Sequence, residues 1–307
     1  MNLTSKNIYS WLLLSILGVI WGSSFFAIEI ALISFHPAYV SSFRIIIGLF
    51  TLLLFSLLFK INLVSKQKTC RYWISCLGVA LFSNVIPFTF LSVAQGHLTS
   101  IFVGLCMATI PMIILVFAHF LSDNERITRK KLIGIVLGVC GAGLLISSKS
   151  SISENPFSLG DKIFVGLCIV APFCYASGAI IIKRSVQSDY LEFSTHSLFI
   201  ASLICIPILV FIGEVPSTFK SNSIIAVLYL GIFPTGIATI VLVSLIKDEG
   251  AVFISLVNFK VPVWSTVFGV FLLKESIPSN FGTSFLLILS GILICQIQTK
   301  NNIRGLK

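Results

Sequence analysis

Residues 11–33 read WLLLSILGVIWGSSFFAIEIALI, and Glu29 is the one ionisable side chain among them. A bilayer core of about 30 Å needs about 20 apolar residues at 1.5 Å of helix rise each. This stretch is therefore a membrane-spanning helix. It is longer than the roughly 7 to 15 residues of a signal-peptide core, and it reads as a retained first span. The same template, carried outward, marks spans near 38–59, 73–93, 99–120 and 132–147, then near 163–182, 193–213, 223–246, 251–273 and 281–297. The turns Gln95-Gly96-His97 and Lys247-Asp248-Glu249-Gly250 separate spans 3 and 8 from the spans that follow them. Tyr9 with Trp11, and Tyr72 with Trp73, stand where aromatic rings anchor a helix at the headgroups.

The expected fold is an all-α integral membrane protein of ten transmembrane helices. Of the 307 residues, 56% are apolar and 10% charged, against roughly 25% charge in soluble domains. No segment between spans exceeds about 15 residues, too short for a nucleotide-binding or catalytic domain. The net charge of +10 sits in short tethers beside apolar runs rather than on a folded basic face. It points to membrane lipids as partner and not to nucleic acid. Counted by loop with the N-terminus inside, inner segments carry 15 Lys and Arg and outer loops 4. That asymmetry places both termini in the cytoplasm, in a cytoplasmic (inner) membrane. Seven of the eight cysteines lie inside apolar runs, and no disulfide or metal spacing is present.

The two halves of the chain match. Pro87 corresponds to Pro234, Pro111 to Pro262, Glu125 to Glu275, and Gly134 and Gly143 to Gly282 and Gly291, at offsets between 147 and 151 residues. A five-helix unit thus occurs twice, over 1–150 and 151–307. Because five is odd, the second copy enters the membrane from the opposite side, which makes two inverted five-helix repeats. Each paired proline lacks an N–H and releases the carbonyl four residues earlier, those of Ser83, Leu230, Met107 and Asn258. A released carbonyl in hydrocarbon needs a partner. Pro87, Pro111, Pro234 and Pro262 are therefore read as helix kinks around a polar cavity, with ordinary kinks absorbed by neighbouring helices as the plainer reading.

These residues resemble the drug/metabolite transporter superfamily, specifically its EamA-type ten-helix members, over nearly the whole chain. The resemblance rests on Trp21-Gly22-Ser23-Ser24-Phe25 in span 1, Pro37 followed by Arg44 in span 2, Pro111 and Pro262, and the Glu125 and Glu275 loops leading into glycine-bearing spans. It implies a secondary carrier, often an exporter, of amino acids, nucleotide-like metabolites or drugs, with a central cavity between the halves and no cofactor. The glycine that often precedes the loop glutamate is Asn124 in one copy and Lys274 in the other, and span 6 has Tyr175-Ala176 where span 1 has Trp21-Gly22.

Candidate residues follow from depth and helical face. Gly18, Gly22, Phe25 and Glu29 share one face of span 1. There the glycines admit close helix approach, and Trp21 and Phe25 border the cavity or simply pack. Asn84, beside the Pro87 kink, and Tyr175 are further candidates. Glu29 lies about 6 Å from the outer end of span 1 and Arg44 about 9 Å from the outer start of span 2. At a shared depth they make a candidate gating pair, with snorkelling of Arg44 as the structural alternative. Lys260 lies about 13 Å into span 9, beyond the roughly 6 Å reach of its stem. A charge there costs about 2.5 to 3.5 kcal/mol on insertion scales, so it is expected to meet substrate or a proton path, with Asn258 and Trp264 close by in the sequence; an internally paired structural lysine is the alternative. The four histidines read as interfacial residues, and Glu125 and Glu275 as loop or helix-start residues.

The leading functional expectation is a secondary transporter of a small organic metabolite across the cytoplasmic membrane by alternating access. A lipid-linked sugar flippase remains an alternative, as does a polytopic membrane enzyme or receptor without transport. No nucleophile elbow, His-Glu-x-x-His or phosphate-binding glycine loop is present, so the chain is not read as an enzyme. Its oligomeric state is not fixed by these features.

Overall fold

The computed structural model describes residues 3–61, 63, 68–121, 129–146, 159–186, 188–212, 219–277 and 279–304. Glu125 and Asn124 lie outside the described residues. Within them the chain forms helical rods and no strand. In order these are α1 (Leu3–Leu32), α2 (Pro37–Leu58), α3 (Cys70–Gln95), α4 (100–121), α5 (Arg129–Ile146), α6 (Leu159–Arg184), α7 (Tyr190–Ile212), α8 (Ser221–Glu249), α9 (251–273) and α10 (Phe281–Arg304).

Among the described residues, eight of these helices are long and apolar enough to cross a membrane, rather than the ten expected. The exceptions are α5 and α10, whose apolar stretches, Leu132–Gly141 and Phe281–Gly291, fall short of a full span. The outward surface is apolar: Phe211 is 90% exposed, Leu57 77% and Val210 74%. Water does not tolerate contiguous surface of that kind, and lipid does. The chain is a multi-pass membrane protein.

Local chemistry sets the helix ends. Thr69 and Thr99 accept from the backbone N–H of Tyr72 and Phe102 and start α3 and α4. His36 caps α2 through Nδ1, ahead of Pro37 at its first position. The expected break between the last two helices of the α8–α9 pair is made by Gly250, whose φ of 100° lets the chain turn without a side-chain clash. At the far end of α9, Lys274 sits at φ 59°, in the left-handed region. That is the position where related sequences were expected to carry glycine, and the backbone shows why. The turn aims Glu275 at α4, where Oε1 accepts from Ser100 N–H at 2.9 Å and Oε2 from Ile101 N–H at 3.1 Å. Two free donors of a helix start are thereby satisfied by one carboxylate, a helix-start role like the one expected from sequence.

The helices of the two halves of the chain pack against one another. The α1 helix lies against α9 and α8, and α6 lies against α4 and α3; α2 meets α8, and α3 meets α7. Besides these, α2 packs on α7, α4 on α9, and α5 on α10. Gly18 and Gly22 make the α1–α9 approach possible, as expected of a small-residue face. A Cβ at Gly22 would stand 2.3 Å from Trp264 Cβ, and one at Gly18 2.7 Å from Lys260 Cβ.

Candidate functional site

The prolines do more than bend their helices. Around Pro234 the chain widens into a π-helical stretch, Gly231–Ile237, and ahead of Pro87 into another, Ala80–Val85. Before Pro111, α4 tightens into a 3₁₀ turn at Met107–Thr109, and α9 is interrupted at Leu256 ahead of Pro262. Such turns leave carbonyls without their usual donors, and side chains answer them. Thr235 Oγ1 donates to the Leu230 carbonyl at 2.8 Å, which is the group that Pro234 releases. Asn84 Nδ2 donates to the Val79 carbonyl at 3.1 Å and Thr109 Oγ1 to the Cys106 carbonyl at 2.7 Å. Asn258 Nδ2 donates to the Ser255 carbonyl at 3.2 Å.

These four irregular stretches surround a cavity of about 100 Å³. The α1 helix lines it with Trp21, Ser24 and Phe25, and α3 with Ser83, Asn84 and Phe88. Tyr175 enters from α6, Pro234 and Thr239 from α8, and Ser255 and Asn258 from α9. Ile114, Ile182, Ile246 and Ile254 add an aliphatic layer to the wall. Of the expected residues, Trp21, Phe25, Asn84, Tyr175 and Asn258 all line this one space. Trp21 also donates from Nε1 to the Pro234 carbonyl at 3.4 Å, linking α1 to the kink in α8.

Arg44 is placed differently from expectation. It does not pair with Glu29. Its side chain is 3% exposed and lines the cavity from α2. Nε donates to Thr235 Oγ1 at 3.0 Å, and the guanidinium carbon lies 3.7 Å from the centre of the Phe88 ring. Glu29 instead accepts from Gln95 Nε2 at 3.5 Å, and Gln95 Nε2 also donates to the Phe25 carbonyl at 2.8 Å. A common depth was correct reasoning about height but said nothing about direction around each helix, and the two side chains leave their helices towards different neighbours.

Lys260 and Trp264 do not line the cavity. Lys260 crosses onto α1, where its stem covers Gly18 and Nζ donates to Ser15 Oγ. The ring of Trp264 packs at 6.0 Å from that of Phe268, and its Cβ sits over Gly22. The charge at this depth is met by a hydroxyl of the neighbouring helix, which sequence depth alone could not reveal. Thr235 and Phe88 were missed; the available signal was a hydroxyl residue directly after Pro234 and an aromatic residue directly after Pro87.

Polar ties close the bundle at the end where α1 begins. Lys68 Nζ donates to the buried Glu192 at 2.7 Å, Lys247 Nζ to Ser188 Oγ at 2.9 Å, and Ser10 Oγ to Glu249 at 2.8 Å. Tyr190 bonds Asp248, and Tyr72 meets His196 Nδ1 at 2.8 Å. These bonds link α1, α3, α7 and α8 at that end. His97, by contrast, stacks on Phe164 at 3.6 Å near the other end.

The chain matches the model of the EamA-like transporter family over residues 9–147 and 162–296. It is 26% identical over 280 residues to the uncharacterized transporter YoaV of Bacillus subtilis (strain 168), covering 90% of this chain and 92% of that protein. An uncharacterized transporter of Archaeoglobus fulgidus is 24% identical over 292 residues, covering 92% and 97%. Protein PagO of Salmonella typhimurium is 23% identical and matches 72% of this chain and 71% of its own length. A solved crystal structure with 18% identity superposes with a TM-score of 0.71 over 95% of this chain and 98% of that one, which is likeness of fold.

Proposed function

The chain belongs to the EamA-like transporter family, and from that premise we propose that it is a secondary carrier moving a small organic metabolite through the central cavity by alternating access. Membership makes it a membrane transporter and not an enzyme. The observation that carries the further reading is the cavity itself. Helices of both halves line it, each contributing kinked segments, and it is tied shut at one end by breakable polar contacts. Kinked helices at mid-depth are the usual place for a site that two halves expose in turn.

The proposed frame is ten spans in two inverted five-helix repeats, over 1–150 and 151–307, with α5 and α10 as short fifth members. Exchange of the halves turns each observed contact into another: α1 on α9 becomes α6 on α4, α1 on α8 becomes α6 on α3, and α2 on α8 becomes α7 on α3. Contacts of α2 with α7 and of α5 with α10 map onto themselves, as a two-fold axis requires. Both termini are proposed to be cytoplasmic in the inner membrane, from the 15 to 4 division of Lys and Arg. Cysteines introduced at Asn124 and Asn280 should then label from opposite faces with an impermeant reagent. Labelling from one face would sink the inverted repeat.

Export is the proposed direction, and an amino acid or nucleotide-like compound the proposed cargo class, both on family resemblance. The test has two stages. A melting-temperature screen of the purified protein against a metabolite library selects ligands of the folded state. Liposomes carrying the protein and preloaded with a selected compound should then accumulate its labelled form by counterflow. No counterflow with any selected compound would remove the carrier reading.

A further inference from the structure

We infer that the cavity takes a substrate with a single negative charge, a carboxylate on an apolar or aromatic body, and that Arg44 receives it. The inference rests on the carrier reading, since it assumes that the cavity holds the cargo. Among the described residues lining that space Arg44 is the one charged side chain, and no carboxylate lies within ion-pair distance of it. A buried cation without a counter-charge is costly; the Phe88 ring and the Thr235 hydroxyl offset part of that cost but supply no negative charge. What the fold does is orient the group. Thr235 takes Nε, and Phe88 covers the guanidinium plane, while Nη1 and Nη2 form no hydrogen bond to another described residue. Two neighbouring N–H groups held in a plane match the two oxygens of a carboxylate.

The rest of the wall fits the body of such a molecule. Trp21, Phe25 and Tyr175 supply flat apolar surface beside the charge, and the aliphatic layer of Ile182 and Ile254 lies beyond. One cation balances one charge. A diphosphate, as on a lipid-linked sugar, would bring charge that no second lining cation among the described residues meets. A lone amine likewise finds no lining carboxylate there; of the two proposed cargo classes this favours the amino acid, held by its carboxylate, over a nucleotide-like compound with several charges.

Benzoate, benzamide and benzylamine share a ring and differ in charge, so they separate these cases. Binding of each to the purified full chain is read by thermal unfolding and by tryptophan fluorescence, to which Trp21 in the wall contributes. Benzoate should bind at least tenfold more tightly than benzamide, and benzylamine should not bind. Arg44→Gln should erase the difference between benzoate and benzamide, and Arg44→Lys should keep part of it. The benzoate-to-benzamide ratio of the unsubstituted protein decides the matter even if a variant does not fold. Equal binding of acid and amide, tighter binding of the amine, or a ratio untouched by Arg44→Gln overturns the inference. Binding of none of the three overturns it too, while the carrier reading stands or falls separately by counterflow.

Discussion

Replacing Gly291 by alanine is expected to lower the melting temperature of the purified protein by several degrees, while Gly143→Ala leaves it unchanged. The reason lies in how α5 and α10 meet. A Cβ at Gly291 would stand 2.4 Å from the carbonyl oxygen of Gly134 and 3.0 Å from the backbone nitrogen of Gly138. Both are main-chain atoms, so no side chain can turn aside, and one helix must move away from the other. Between membrane helices, packing at close range supplies much of the attraction because lipid offers no hydrophobic drive. Overpacking of this kind costs about 1–3 kcal/mol. Gly143 is the opposite case, with nothing within 4 Å of an added Cβ. A fall in both variants would mean that helix propensity or insertion, and not the crossing, controls the effect; no fall in either would mean that α10 is not docked on α5 as described.

That pair of glycines also shows how far a sequence can be read. Gly143 matches Gly291 in sequence, and Gly134 matches Gly282, yet their surroundings differ. Gly291 presses on Gly134, whereas the close approach of α5 to the α10 backbone is made by Gly141 against the Ser284 carbonyl, and Gly143 and Gly282 are open. A matched position in sequence fixes spacing along a helix, but the crossing point of two helices depends on every side chain between them. The proline positions were legible for the contrary reason. A missing N–H acts within its own helix, and its consequences at Pro87, Pro111, Pro234 and Pro262 appear within one turn or two of each residue.

Site residues divide along the same line. Trp21, Phe25, Asn84, Tyr175 and Asn258 were chosen from motif and kink, and they reach one cavity. Arg44 and Lys260 stand out by charge at depth, and a charge there needs a partner. Depth does not specify which one, since rise along a helix fixes height while the direction of a side chain depends on which neighbours pack where. Thr235 and Phe88 receive the first and Ser15 the second. Each partner is a neutral residue on another helix, without a pattern that depth or charge could pick out.

Filling the cavity should stop transport without unfolding the protein. Ala179 is 7% exposed and lines the cavity from α6, one turn beyond Tyr175. Ala179 borders the unfilled space, so the phenyl ring of Ala179→Phe has that volume to enter. Counterflow of any compound selected by the stability screen is expected to drop at least tenfold, with the melting temperature within a few degrees of the unsubstituted protein. Val170→Phe is the matched control, because Val170 is 43% exposed on the lipid-facing side of the same helix and a larger apolar side chain there meets only hydrocarbon. It should transport normally. Full counterflow through Ala179→Phe would show that cargo does not pass through this cavity, and the location of the site, the role of Arg44 and the carrier geometry built on them would have to be abandoned together.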